Sequence, residues 1–220
     1  VISFENAIVK SSNVAMIKFS SPLDSKDIYD TIKRYGLLDK TGIELPGETG
    51  GMLINAEKWS GLTKPNVVIG QGVAVTMLSV TMFYQMIANN GVMLKPSIIY
   101  GIKYPNGSVD VADKEVGRKV LSEPTAHTLS QILNKVVNEG TGKLAHIDGV
   151  NISGKTGTSQ KPDFKIGGYT KDDYWASFVG YFPTEDPQCL IMIMLDEPNN
   201  GYHGGTVAAP TFKKVAERII

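Results

Sequence analysis

The sequence predicts an α+β fold, an antiparallel sheet flanked by helices with a helical subdomain in front of it. Three observations predict it. Segments with apolar residues at helical spacing fill residues 1–148. Strand-like runs follow, and one helical segment closes the chain. The connection PTEDP between two of those runs is too short for a crossover and favours antiparallel pairing. Helices followed by strands, rather than alternating with them, argue against a repeating βαβ sheet.

The chain opens in helical pattern, SFENAIVK running into SSNVAMIKFS. DSKDIYDTIKRYG sets Ile28, Ile32 and Tyr35 at helical spacing, with Gly36 as a stop. TGIELPGETGG reads as a Gly- and Pro-rich loop, and WSGLTKPNVVIGQG as a second irregular stretch. VTMLSVTMFYQMIANNG predicts a helix with Leu78, Met82, Gln85 and Met86 on one face, closed by Asn90-Gly91. SIIYGIKY and VDVAD flank Asn106-Gly107 and predict a surface hairpin near 97–112. SEPTAHTLSQILNKVVNEG predicts a helix capped by Ser122, with Pro124 in its first turn and Gly140 as its end. VNISGKTGTSQ, YWASFVGYFP and QCLIMIMLDEP are the three strands, within residues 149–220. TVAAPTFKKVAERII is the closing helix, expected to turn Ala208, Phe212, Val215 and Ile219 inward. All of it reads as a single domain over 1–220.

At 42% hydrophobic and 20% charged residues, the chain has the means to bury one good-sized core. Lys plus Arg equals Asp plus Glu, so no basic excess points to nucleic acid, and no nucleic-acid partner is expected. Lys33-Arg34 and Lys213-Lys214 read as solvated helix faces. Cys189, the lone cysteine, lies in the apolar run CLIMIML and reads as a buried structural thiol. It permits an extracytoplasmic compartment without deciding one. No apolar run approaches the ~18 residues of a membrane span. The chain starts without Met and already in helical pattern, which predicts that a longer protein continues upstream. His127, His146 and His203 have no metal-ligand spacing, so no metal or cofactor is expected. His127 reads as mid-helix and His146 as a loop residue, while His203 is a candidate for a cleft rim. Tyr174 and Trp175 read as core-strand residues, and Tyr169 in the preceding loop as a candidate substrate contact.

One stretch fits two unrelated templates. Gly149 to Thr156 in GVNISGKTGTSQ matches G-x-x-x-x-G-K-T, a phosphate loop, and LIMIMLDE could be its Mg²⁺-holding strand. Lys155-Thr156-Gly157 is also the K-T-G of serine enzymes that attack penicillin and cell-wall peptides. A phosphate loop must open a helix, whose N-terminal N–H groups hold the anion. Gly157, Pro162, Gly167 and Gly168 forbid a helix there, and Val150 to Ile152 alternate like a strand. The strand reading survives. On it, Lys155 supplies positive charge, and the Thr156 and Thr158 hydroxyls can bind a carboxylate. Gly157 lets a neighbouring element pack close, and the Thr158 N–H can face a developing oxyanion.

Ser11-Ser12-Asn13 supplies an S-x-N upstream of the K-T-G. With NAIVKSSNVAM, TGIELPGETGG, IGQGVAVTMLSVTMFYQMIANNGVMLKP, EGTGKLAHIDGVNISGKTGTSQ and GYHGGTVAAPTFKKVAERI, it makes nearly the whole chain resemble the transpeptidase domain of class B penicillin-binding proteins. The likeness leans toward the cell-division and sporulation branch, with Met77 where Pro is common. The resemblance implies the penicillin-binding-protein and serine β-lactamase-like fold. It also implies a D,D-transpeptidase that cross-links peptidoglycan stem peptides through a serine acyl-enzyme and is acylated by β-lactam antibiotics. Ser11 would relay a proton to the leaving group, and Asn13 would orient the nucleophile's lysine and bind substrate amides. Lys155 would bias Ser11, Thr156 and Thr158 would hold the terminal carboxylate beside Gly157, and the Thr158 N–H would stabilise the oxyanion. The family's S-x-x-K nucleophile has no counterpart, because no serine here is followed by Lys three positions on. The nucleophile, its base, two sheet strands and any membrane anchor are therefore expected in a segment before Val1 or in a separate chain, with the domain on the extracytoplasmic face of the membrane. Without those strands the chain is expected to carry an unpaired sheet edge and to be unstable alone. Division-machinery membrane proteins are expected partners. A D,D-carboxypeptidase or serine β-lactamase of the same fold would pass the acyl group to water. A non-enzymatic penicillin sensor would acylate slowly or not at all, and a nucleotide hydrolase would need Mg²⁺ and ATP.

Overall fold

The computed structural model describes residues 1–111, 117–163, 165–199 and 201–220. Helix α1 (Phe4–Val9) starts at Ser3, whose hydroxyl accepts from Asn6 N at 3.2 Å. Helix α2 (Asn13–Ser20) starts again at Ser12, which accepts from Ala15 N at 3.4 Å. The two are not one continuous run, because Ser11 between them has φ 51°. That left-handed backbone is unusual for a residue with a Cβ and ends helical propagation. Helix α3 (Ser25–Arg34) stops before Gly36 at φ 70°.

The loop 37–51 that follows is laced by Glu48, which accepts from Thr41 N at 2.7 Å, Thr41 Oγ1 at 2.6 Å and Gly42 N at 3.0 Å. Strand β1 (Met52–Leu53) pairs with β2 (Val73–Ala74). Between them, the stretch expected to be irregular contains helix α4 (Thr63–Val68). Pro65 sits in its first turn, where a missing N–H costs nothing. Helix α5 (Met77–Ala88) is capped by Thr76 and buries Ser79, Met82, Met86 and Ile87. Asn90 and Gly91, at φ 52° and 87°, turn the chain out of it.

Strand β3 (Val92–Met93) pairs with a later β6 (Arg118–Lys119). The hairpin consists of β4 (Gly101–Lys103) and β5 (Val109–Val111) around Gly107 at φ 86°. Its predicted outer end, Ala112, lies outside the described residues. Helix α6 (Glu123–Asn138) has Ser122 accepting from Thr125 N at 3.3 Å.

The main sheet is antiparallel, in the order β7 (Ser153–Pro162), β8 (Tyr169–Phe182) and β9 (Cys189–Asp196). Helix α7 (Gly204–Ala216) closes the chain. Strand alternation places β8 between two layers. Phe178 and Phe182 pack with Ala208, Ala209 and Phe212 of α7. On the other face Tyr181 packs with Met86 and Ile87 of α5 and Leu133 of α6. A strand covered on both sides has no polar face, so YWASFVGYF reads as nearly continuous apolar sequence. Each large side chain buried this way contributes about 1.5–3 kcal/mol. Among the described residues, β9 pairs on one side only, with β8.

Two inward residues were misplaced. Val215 and Ile219 are 36% and 55% exposed. The buried stripe of α7 is Ala208, Ala209, Phe212 and Ala216. Val215 falls beside that stripe, and the helix ends before Ile219. Cys189 is half-buried at the start of β9 rather than fully enclosed, and burial raises its thiol pKa. Among the described residues, no helix is long and apolar enough to cross a membrane.

Candidate active site

An open cleft of about 900 Å³ lies between the exposed edge of β7 and the helical part. Ser11, Asn13, Lys155, Thr156, Gly157 and Thr158, expected to act together across 147 positions of sequence, all line it. Lys143 and Lys155 also line it, and among its described lining residues there is no Asp or Glu. Such a lining suits an anion.

Lys155 is the third residue of a ten-residue strand that continues well past it, which excludes the phosphate-loop template. Gly154 serves packing: a Cβ there would stand 2.6 Å from Phe178 Cζ. The acidic end of β9 is likewise engaged otherwise. Lys161 Nζ reaches Asp196 at 2.9 Å and Glu197 at 2.5 Å, and its pKa is pushed up to about 12 by those bonds.

The Lys155 ammonium donates to Ser11 Oγ and to Thr156 O at 3.1 Å, and stands 3.4 Å from Thr156 Oγ1. Burial lowers its pKa to about 8. The positive charge expected of Lys155 is therefore held less firmly than on an exposed lysine. Ser11 is presented by the left-handed turn between α1 and α2, and Asn13 by the first turn of α2.

Thr158 Oγ1 accepts from Gly204 N at 3.0 Å. A hydroxyl has one proton and two lone pairs, so the Thr158 O–H proton remains available to a ligand. The same bond aims the N-terminus of α7, with its partial positive charge, at β7. The seat is tight, as a Cβ on Gly204 would lie 2.2 Å from Ser177 O and 2.3 Å from Gly157 O. At Gly157 a Cβ would stand 2.4 Å from Ser177 Oγ.

Backbone polarity at Thr158 follows from register. Tyr174 O accepts from Glu197 N on the β9 side of β8. Alternation then turns Ala176 toward β9 and Ser177 toward β7. Thr158 is opposite Ala176, and Gly157 is opposite Ser177. The Thr158 N–H therefore faces the free edge and the cleft.

Several cleft residues escaped the sequence reading. Tyr174, read as core, stacks on Tyr202 with ring centroids 4.3 Å apart and 19° between planes, and both line the cleft. His203, named from the sequence as a rim candidate, lines it as well, with its ring 4.3 Å from that of Tyr202. Tyr169 lies on β8 rather than in a loop before it. Gln71 and Thr141 complete the lining from loops. Tyr202 and Thr141 lie within the GYHGG and EGTGK runs, which was the available signal. His127 bonds Gln131 on α6, and His146 lies 3.2 Å from Asp148, both away from the cleft.

The family model of the penicillin binding protein transpeptidase domain matches residues 1–217. The chain is 36% identical over 220 residues to "Penicillin-binding protein PbpB" of Mycolicibacterium smegmatis, covering 96% of this chain and 34% of that protein. It is 30% identical over 208 residues to "Probable peptidoglycan D,D-transpeptidase PenA" of Neisseria meningitidis, covering 94% and 34%. The crystal structure of penicillin binding protein 3 of Mycobacterium tuberculosis complexed with aztreonam superposes with TM-score 0.90 at 37% identity, over 99% of this chain and 50% of that one. The chain thus spans about a third of the length of the curated relatives it matches.

Proposed function

From a chain that belongs to the penicillin-binding protein transpeptidase family, we propose the substrate-holding and proton-relaying part of a peptidoglycan D,D-transpeptidase site. The observation that carries the reading is the contact of Lys155 Nζ with Ser11 Oγ, made at a strand edge whose free N–H and hydroxyls face an anion-suited cleft.

The substrate is a stem peptide ending in D-Ala-D-Ala. Its terminal carboxylate sits on the Thr156 and Thr158 hydroxyls, with Lys155 and the α7 N-terminus supplying positive potential. A serine outside residues 1–220 attacks the penultimate carbonyl, in keeping with the absence of any S-x-x-K among them. The oxyanion that forms is met by the Thr158 N–H. As the C–N bond breaks, Ser11 passes its proton to the departing D-Ala amine and is reprotonated from Lys155. The nucleophile's own lysine, held by Asn13, keeps the proton taken from the serine. An amine from a second stem peptide then attacks the acyl carbonyl and gives its proton back through Ser11 to Lys155, while the acyl C–O bond breaks and the released serine oxygen retrieves the proton held by its lysine, leaving the cross-link. A β-lactam presents a carboxylate and an acyl group to the same two subsites, but its leaving group stays tethered and blocks the second attack. The substrate class assigns the domain to the extracytoplasmic face of the cell membrane.

Incubating the natural full-length protein with a labelled penicillin, followed by mass spectrometry, tests the reading. One covalent adduct on a serine is expected. A protein that takes up no label at saturating penicillin overturns it. Release of D-Ala with an added amine acceptor incorporated separates transpeptidation from hydrolysis.

A further inference from the structure

We propose that Thr141 is a positioning residue whose single hydroxyl proton couples the carboxylate subsite to the proton carried by Ser11. This deepens the transpeptidase reading and rests on it. Thr141 Oγ1 stands 3.3 Å from Ser11 Oγ and 2.9 Å from Thr156 Oγ1. Lys155 Nζ contacts those same two oxygens from the other side. The four groups form a closed ring in which Thr141 is the one member to which the sequence motifs assign no role.

The backbone of Thr141 is fixed from two directions. Its N–H donates to Val9 O at 3.3 Å, and Lys10 Nζ donates to Glu139 O at 2.8 Å, tying this loop to the turn that presents Ser11. On the far side Gly205 lies so close that a Cβ there would stand 2.4 Å from Thr141 O. An exposed loop residue is thereby tied to α1 and packed against α7.

Proton counting gives the coupling. Lys155 only donates, so Ser11 and Thr156 can each accept from it. Thr141 has one proton and can donate to one of those two oxygens while accepting from the other. With a carboxylate on the Thr156 O–H, Thr141 donates to Thr156 and accepts from Ser11. The Ser11 proton is then parked inside the ring rather than lost to water, until the departing nitrogen becomes basic enough to take it. With the carboxylate subsite empty, the opposite orientation is equally open and the parked state is not selected.

The test is acylation of the natural full-length protein by a labelled penicillin, measured in wild type, Thr141→Val and Thr141→Ser. Thermal unfolding midpoints are recorded alongside. Valine keeps the shape and removes the hydroxyl, while serine keeps the hydroxyl. Thr141→Val is expected to lower the first-order acylation rate about tenfold, the weight of one neutral hydrogen bond. Its apparent dissociation constant should change less than its rate, and Thr141→Ser should restore wild-type rate, with all three midpoints alike. Wild-type rate in Thr141→Val, or an equal loss in Thr141→Ser, overturns the role of the hydroxyl while leaving the transpeptidase reading intact. No acylation of wild type removes both.

Discussion

Replacing Gly204 by alanine tests whether α7 must sit directly on β7. The added Cβ would lie 2.2 Å from Ser177 O and 2.3 Å from Gly157 O, both backbone atoms within the β7–β8 ladder. Ordinary contact begins at about 3.4 Å, so α7 or the ladder has to move by about 1 Å. Neither oxygen is on a flexible side chain that could swing away. Overpacking of this kind costs about 1–3 kcal/mol. In a domain of this size each kcal/mol lowers the unfolding midpoint by about 2–4 °C, so the expected drop is about 2–12 °C. The displacement also lengthens the 3.0 Å bond from Gly204 N to Thr158 Oγ1, so penicillin acylation of the full-length protein should slow. Gly61→Ala is the control, because nothing lies within 4 Å of a Cβ there. Circular dichroism melts and acylation rates are the readouts. A Gly204→Ala protein that melts and acylates like Gly61→Ala would refute the close seating of α7.

Thr158→Pro deletes the N–H that faces the cleft, worth about 2.7–4 kcal/mol as an oxyanion donor, and the hydroxyl with it, so it should slow acylation by at least about 10²–10³-fold relative to wild type and well beyond Thr158→Val, which removes the hydroxyl alone; equal rates in the two variants sink the oxyanion assignment. Lys155, lowered by burial to about 8, should give the acylation rate an alkaline limb near that pH, which Lys155→Arg removes; a flat profile through pH 7–9.5 in wild type contradicts it. The same shift has a stability consequence. Between about pH 8 and the unfolded value of about 10.4, the unfolded chain binds more protons, so this group raises stability as pH climbs through that window. Tyr181→Phe removes the buried 2.6 Å bond to Ser130 and should cost about 1–2 kcal/mol in a denaturant melt, with acylation unaffected.

Much of this fold was legible because its signals are local. Ser3, Ser12, Thr76 and Ser122 cap the helices that follow them, and Asn106-Gly107 sets the hairpin turn. Strands β8 and β9 carry apolar runs that can be read without partners, and β7 was read from the alternation at Val150 to Ile152 and the glycines that bar a helix. What escaped depends on contacts distant in sequence. Helix α4 is bounded by Gly61 and Gly70 and contains Pro65, so its propensity argues against it, and tertiary packing decides. Pairing of β3 with β6 joins two residues on each side, too few for a periodic signal. Tyr174 looked like core because its neighbours are, yet its ring turns to Tyr202 at the cleft. That the candidate site residues share one cleft was legible from motif letters, whereas their electrostatics were not. The depressed Lys155 follows from desolvation, which no spacing encodes.

The distance along the chain between Ser11 and Lys155 bears on the order of events during synthesis. The two residues are 144 positions apart, and Lys10 meets Glu139 across 129. Local helices can form as the chain emerges, but closing loops this long pays its entropy before any contact repays it. On a ribosome the Ser11 turn would therefore wait, solvated, while more than half of the domain is still being made. Only when β7 has been translated and paired does a cleft exist. Until then the elements that would hold a stem peptide or a penicillin on the proposed reading stand apart, however complete each is on its own.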